Sequence, residues 1–336
     1  MIIYAHTEVL ILNLKKFIKR FLFFIVLLTL FIFFNNSSIF TKDRSGDPIL
    51  LAHRGLAQTF PLEGITGETC TAEIIYEPEH AYLENTVPSM EAAFAHGADI
   101  VELDVHPTKD GEFAVFHDWN LECRTDGEGV TREHTMAELK QLDVGYGYTA
   151  DNGETYPFRG KGVGLMPTLG EVLKTFPDKQ LLIHIKSNDA NEGVQLANYL
   201  AKYPKLENVA VYGGDLPIER LKEEMPQMRV MSKETLKSCL IPYLAVGWTG
   251  YMPDACKNTQ LHIPETYARI LWGYPQKFLN RMDAVDTRVI LVAGNGNWSE
   301  GFDQVSDLER LPKNYNGGIW TNRVDVISQV PGIFTE

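Results

Sequence analysis

Ile100-Val101-Glu102-Leu103-Asp104-Val105 is the stretch whose reading decides how this 336-residue chain is built. Period two places Glu102 and Asp104 on one face of a β-strand and Val101, Leu103 and Val105 on the other. Two carboxylates side by side on a buried strand repel unless a cation or a proton lies between them, which is how a divalent-ion site is made. The bland alternative is a half-exposed strand with a solvated acidic face, so the neighbours must decide.

Working outward, short apolar or β-branched runs alternate with helix-like stretches from residue 50 onward. Strands are expected at Ile49–His53, Ile100–Val105, Phe113–His117, Leu181–Ile185, Asn208–Tyr212, Arg229–Met231, Ala245–Trp248, Arg288–Val292 and Gly318–Thr321. Helices are expected at Val87–His96, Met136–Leu142, Leu169–Phe176, Asn191–Ala201, Pro217–Glu224, Pro275–Met282 and Val305–Leu311. About eight strand–helix steps predict an α/β fold of the closed (β/α)8 TIM-barrel type, a single domain over residues 47–336. Ala57–Leu83 and Tyr146–Met166 break the alternation and are read as long excursions that shape access to the site.

Three further elements converge with the acidic strand. Leu51-Ala52-His53-Arg54-Gly55 ends one strand in an imidazole, a guanidinium and a flexible Gly, and Phe113-Ala114-Val115-Phe116-His117-Asp118 ends another in a second imidazole. In Leu182-Ile183-His184-Ile185-Lys186, His184 and Lys186 share a face, offering a metal donor and a cation for a phosphate oxygen. A single strand-end His is usually a hydrogen-bonded structural residue, and Lys186 could simply pair with Glu102 or Asp104. Two such His flanking a carboxylate pair point to chemistry.

In order along the chain, His53-Arg54-Gly55, Glu84-Asn85-Thr86, Glu102-Leu103-Asp104-Val105, Thr108-Lys109-Asp110-Gly111, His117-Asp118, Arg124-Thr125-Asp126-Gly127, Met166-Pro167-Thr168-Leu169, His184-Ile185-Lys186 and Trp320-Thr321 resemble the glycerophosphodiester phosphodiesterase family. The strong similarity covers residues 49–187, with Trp320-Thr321 alone anchoring the C-terminal half. The resemblance implies a TIM barrel that hydrolyses glycerophosphodiesters to glycerol 3-phosphate and an alcohol, with Ca²⁺ or Mg²⁺ on acidic ligands. By the same resemblance His53 and His117 form the catalytic acid/base pair, and Glu102 and Asp104 are metal ligands. Arg54 and Lys186 then contact phosphate, Glu84 orients Arg54 or a substrate hydroxyl, and Trp320 forms part of the pocket wall.

The chain departs from that pattern at His184, where the family usually has Glu as a third metal ligand. Imidazole keeps a donor atom and removes a negative charge, which favours Mn²⁺ or Zn²⁺ relative to the harder ions. The roughly 28 residues between His53-Arg54-Gly55 and Glu84-Asn85-Thr86 are expected to cap the site. His106 continues the acidic face, but Pro107 ends the strand; His96 is expected to be structural, and Gly294-Asn295-Gly296-Asn297-Trp298 is a loop rather than a dinucleotide fingerprint. Rival functions are a phospholipase D-like or lysophospholipid phosphodiesterase at the membrane, and a barrel that binds phosphodiesters without cleaving them.

Composition frames these readings. With 44% hydrophobic and 22% charged residues the chain is globular, which excludes disorder, collagen and coiled coil. Its net charge is −13, and six of its 31 basic residues lie in the first 46, against two acidic ones, so residues 47–336 carry −17. Such a body repels nucleic-acid phosphates, and no nucleic-acid or protein partner is expected. Lys15, Lys16, Lys19 and Arg20 precede Phe21–Phe34, which is apolar except for Thr29, and no Ala-x-Ala-like cleavage site follows. Residues 1–46 are therefore expected to be a basic cytoplasmic flank plus a signal-anchor or signal peptide. Residues 21–40 would hold the body to the membrane on its periplasmic or cell-surface side, or the body is secreted if the leader is cleaved. Cys70, Cys123, Cys239 and Cys256 allow three full pairings, among which the sequence does not choose.

Overall fold

A computed structural model describes residues 2–41, 47–297, 300–313 and 315–330; for residues 2–11 and 40 it describes the backbone alone. Residues 42–46, where the leader is expected to meet the body, and Trp298 of the Gly294–Trp298 loop lie outside the described residues. Among the described residues, the helix α1 (Ile2–Asn36) precedes a body built on nine strands.

These are β1 (Ile49–Ala52), β2 (Ile100–Pro107), β3 (Phe113–Val115), β4 (Gln180–Ile185), β5 (Val209–Gly213), β6 (Arg229–Met231), β7 (Gln260–Pro264), β8 (Arg288–Val292) and β9 (Gly318–Thr321). Eight run parallel in the order β6-β5-β4-β2-β1-β9-β8-β7, and a parallel bridge from Val230 to Thr259 brings the two ends together into a barrel. On β2, Val101, Leu103 and Val105 join the outer core beneath the helices, while Ile100 joins Leu51, Leu182, Ala210, Ile290, Val292 and Trp320 inside the barrel. The period-two reading of β2 is thus realised, with Glu102 and Asp104 wholly buried on the interior side.

Three details correct the expected alternation. β3 pairs antiparallel with β2 and stands off the barrel, ending at Val115, so His117 lies in the loop beyond it. Ala245–Trp248 is not a strand: it is the end of helix α7 (Lys233–Val246) and a following 3-10 turn, because Ala245 and Trp248 continue the 3.6-residue spacing that Ile241 begins. β7 went unread because its inward residues, Gln260 and His262, are polar and leave only Leu261 and Ile263 as an apolar signal.

The two excursions fold together. Ala72, Ile75 and Leu83 from the first pack with Phe116, Leu121, Tyr148, Phe158 and Met166 into a core separate from the barrel's own. A Cys70–Cys123 disulfide ties the first excursion to the loop after β3, and Cys239–Cys256 pins α7 to the segment before β7. Closing a loop of 53 residues is worth about 4 kcal/mol in the chain-entropy account. Replacing both Cys70 and Cys123 with Ser is therefore expected to lower the unfolding midpoint and to raise KM more than it lowers kcat. Unchanged thermal melts and an unchanged KM would show that the tie does not hold the cap.

Candidate active site

His53 sits one residue beyond β1, and a turn follows in which Arg54 (φ 58°) and Gly55 (φ 80°) both adopt the left-handed region. At Gly55 a Cβ would lie 2.5 Å from Ser89 Oγ, so only glycine lets this turn approach the helix that follows Thr86. The strained Arg54 backbone is held by its N–H donating to Glu102 Oε2 (3.1 Å) and by the Asn85 N–H donating to its carbonyl (3.0 Å). Asn85, also left-handed (φ 59°), grips Asp104 reciprocally: its Nδ2 donates to Oδ2 and its Oδ1 accepts from the Asp104 N–H, both at 3.0 Å.

Glu102 and Asp104 form the floor. Asp104 Oδ1 accepts from His184 Nδ1 (2.8 Å) and lies 3.4 Å from Lys186 Nζ, while its Oδ2 lies 3.2 Å from Arg54 Nε. Glu102 Oε1 accepts from the Tyr212 hydroxyl (2.7 Å), and the Tyr212 ring stacks on His184 at 4.1 Å. Burial, then the adjacent Asp104 charge, pushes Glu102 up to about 8. Burial opposes ionisation of Asp104 as well, but Lys186 and Arg54 overcome it and hold that carboxyl well below its usual range.

The two imidazoles meet the same cavity of about 320 Å³, which Arg54, Glu84, His184, Lys186 and Tyr212 also line. Their surroundings differ. His53 Nδ1 lies 2.7 Å from Asn322 Oδ1, and Asn322 spends its Nδ2 on Asp303 Oδ2 (2.8 Å). The amide oxygen is thus an acceptor, so His53 carries its proton on Nδ1 and presents a bare Nε2, 3.8 Å from Glu102 Oε2. Burial, with Arg54 next, holds His53 well below its ordinary value. His117 Nδ1 instead lies 2.6 Å from Asp118 Oδ1, and Asp118 is ion-paired through its other oxygen to Arg124. Burial, then Arg54 and Lys186, lowers His117, while its hydrogen bond to Asp118 opposes that shift.

Arg124 also bonds Thr71 (2.6 Å) and lies 3.3 Å from Glu84 Oε1, whose same oxygen is 3.1 Å from Arg54 Nη1. Glu84 therefore joins the guanidinium beside His53 to the one behind His117. Asn322, Asp303, Asp118, Arg124, Asn85 and Tyr212 received no role from the sequence. Asp118, Arg124 and Asn85 stand inside the quoted motifs, and Asn322 is one residue beyond Trp320-Thr321, but Asp303 carries no local signal.

Trp320 is not in the cavity wall: only 3% exposed, it lies beneath, its ring 4.8 Å from that of His53 and 5.4 Å from that of His262. His106 holds the carbonyl of His117 through Nε2 (3.2 Å) rather than joining the acidic group. His96 terminates the helix Val87–Ala95, outside the site. Ala57, Phe60, Leu62 and Ile65 of the first excursion line the cavity, as a cap would.

Ligand atoms of Glu102, Asp104 and His184 all lie within 4.8 Å of one another. Four carboxylates, Glu84, Glu102, Asp104 and Asp118, meet three cations, Arg54, Lys186 and Arg124, with Arg124 shared between Asp118 and Glu84. That leaves one carboxylate without a cation, and burial beside the Asp104 charge disfavours ionisation of Glu102; a divalent cation would relieve both, so these residues fit one.

The profile of the Glycerophosphoryl diester phosphodiesterase family matches residues 53–223, 171 of the chain's 336 residues. The chain belongs to that family. Among curated relatives, Glycerophosphodiester phosphodiesterase of Bacillus subtilis (strain 168) is 32% identical to this family member over 179 residues, which cover 48% of this chain and 58% of that one. The chain thus spans less than two thirds of that relative's length. The Glycerophosphoryl Diester Phosphodiesterase Domain of an uncharacterized Mycobacterium tuberculosis protein superposes with a TM-score of 0.60 at 18% identity, covering 83% of this chain and 97% of that one. An Oleispira antarctica phosphodiesterase, solved in complex with the product sn-glycerol-3-phosphate, superposes with a TM-score of 0.53 at 18% identity, covering 84% of this chain and 96% of that one. At such identities the likeness is one of fold, and it agrees with the TIM barrel expected from the alternation.

Proposed function

We propose that this member of the glycerophosphoryl diester phosphodiesterase family hydrolyses glycerophosphodiesters to glycerol 3-phosphate and an alcohol by two-histidine acid/base catalysis. The observation that carries the reading is the unequal backing of two imidazoles on one cavity: a neutral amide behind His53 and a carboxylate behind His117. An amide leaves imidazole neutral, so His53 Nε2 acts as the base that takes the nucleophile's proton. A carboxylate stabilises imidazolium, so His117 acts as the acid that protonates the leaving alkoxide. The anionic diester, held by Arg54 and Lys186, offsets the two cations that depress His117 and readies it to carry the proton it must donate. A divalent ion on Glu102, Asp104 and His184 would supply Lewis-acid stabilisation of charge on the phosphoryl oxygens. Glu84 keeps Arg54 aimed at the phosphate, and the cap residues face the alcohol.

The test is turnover of glycerophosphocholine by the full chain after chelation and metal add-back, followed by phosphorus NMR. Activity is expected to return with a divalent ion, and Mn²⁺ or Zn²⁺ to compete well with Ca²⁺ and Mg²⁺ because His184 replaces a carboxylate. A transient cyclic phosphate signal would identify the glycerol hydroxyl as nucleophile, and its absence would identify water. Full activity in chelator, or binding of the diester without cleavage under every ion, would refute the reading.

The same proposal places the body outside the cytoplasm. Leu12–Asn36 is long and apolar enough to cross a membrane, the basic cluster lies at its start, and both disulfides suit an oxidising compartment.

A further inference from the structure

The last turn of α1 is bonded into the body. Asn35 and Asn36 each donate through Nδ2 to the carbonyl of Trp248 (2.9 and 2.8 Å). Arg281 Nη2 donates to the Asn35 carbonyl (2.9 Å) and Nη1 to Asn36 Oδ1 (3.0 Å), so a guanidinium caps the negative end of the helix. The same Nη1 bonds the carbonyl of Gly247 and the Tyr243 hydroxyl, which joins the cap to α7.

The seat lies at a defined end of the barrel. α7 starts at Lys233, capped by Ser232 directly after β6, and its 14 residues carry the chain about 21 Å toward the N-terminal ends of the strands before Trp248. Arg281 likewise stands near the end of helix Gln276–Asp283, just before β8 begins. His53, His184 and Tyr212 mark the opposite rim, at the C-terminal ends of β1, β4 and β5.

Around the seat the surface is largely apolar, with the exposed Asp254–Lys257 ion pair at its edge. α7 exposes Lys233, Glu234 and Lys237 in its first half, but Ile241 (62% exposed), Leu244 and Val246 in its second, and Tyr251 follows the turn. The Trp248 ring meets Phe31 edge-on at 6.3 Å. Phe31 lies three residues, about 4.5 Å, inside the end of the apolar run that closes at Phe34. Within the span Leu12–Asn36 that uninterrupted apolar run of 14 residues rises about 21 Å of the roughly 30 Å hydrocarbon core, so the flanks of the helix fill the remaining depth. A short apolar run draws its flanking groups toward the lipid, and Trp and Tyr are the residues that settle at that boundary.

We infer that the corner of the barrel made by the second half of α7 and the turn through Tyr251 rests on the lipid surface from which α1 emerges, so that the catalytic mouth faces away from that bilayer. Covalent tethering and the apolar corner outweigh the repulsion that the acidic body feels from anionic headgroups at long range. Resting on the proposed function, this orientation puts diesters still embedded in the host bilayer out of the site's reach.

The experiment uses the full chain in phosphatidylcholine nanodiscs, with lipids brominated near the headgroup as quenchers of tryptophan fluorescence. Quenching is expected in the unaltered chain and is expected to be largely lost in Trp248→Phe. Ile241→Trp, at an exposed position with little packing to lose, is expected to gain it. Equal quenching with and without Trp248, or none gained at position 241, would overturn the placement. In the second arm, lysophosphatidylcholine held in the host disc is expected to be cleaved far more slowly than glycerophosphocholine in solution, and equal rates would overturn the orientation. The quenching arm needs no turnover, so inactivity on every diester alongside Trp248-dependent quenching would refute the chemistry and leave the docked corner standing.

Discussion

His117→Ala is expected to lower kcat on glycerophosphocholine by about 10²–10⁴-fold and to lose far less on a diester whose leaving group is p-nitrophenolate. Choline leaves as an alkoxide that must be protonated as the bond breaks, whereas p-nitrophenolate departs unprotonated. His53→Ala is expected to cost activity on both substrates, because the nucleophile's proton must be removed whatever leaves. Asp118→Asn should resemble a milder His117→Ala, since it removes the carboxylate that stabilises the imidazolium and leaves the ring in place. Steady-state kinetics of the variants on the two diesters reads all of this. If His53→Ala rather than His117→Ala were rescued by the better leaving group, the two roles would be exchanged.

The second large effect concerns the acidic floor. In the metal-free protein Glu102 is pushed up to about 8 while Asp104 stays ionised, so at pH 7 the pair holds one proton. A folded-state value above the unfolded one means the native state binds more protons between about pH 4.5 and 8, so metal-free stability falls as pH rises through that window. A divalent ion takes the proton's place, and binding at pH 7 is expected to release about one proton. Calorimetric titration in two buffers of different ionisation enthalpy measures that release, and Glu102→Gln is expected to abolish it. Asp104→Asn should behave differently. With Arg54, Lys186 and His184 all drawn to that carboxylate, removing its charge strands buried cations and is expected to cost about 3–5 kcal/mol in urea melts. A buffer-independent heat of binding, or equal stability of the two variants, would refute this division of labour.

The site's donors were legible because each sits on a short-range pattern. Glu102 and Asp104 share a face through strand periodicity alone, and His53, His117 and His184 mark segment ends that hydrophobic patterning can locate. What sits behind those donors was not legible. Asn322 and Asp303 reach His53 from a segment some 250 residues away, and Tyr212 reaches Glu102 across 110 positions, through hydrogen bonds that leave no periodic trace. Among the elements, β7 and the end of α7 were misread for a related reason. A strand whose inward residues are polar and a helix whose outer face is apolar both invert the burial pattern on which sequence reading depends.

The order of the motifs, the alternation of strands and helices and the basic-then-apolar leader are one-dimensional facts, so the chain alone determined its barrel, its candidate metal donors and a helix able to cross a membrane. Which cysteines pair, which imidazole has a carboxylate behind it, and at which end of the barrel α1 is seated were decided only by tertiary structure. Each of these depends on which distant segments the closed barrel brings within hydrogen-bonding or bonding distance, a property of closure that no local stretch of residues carries.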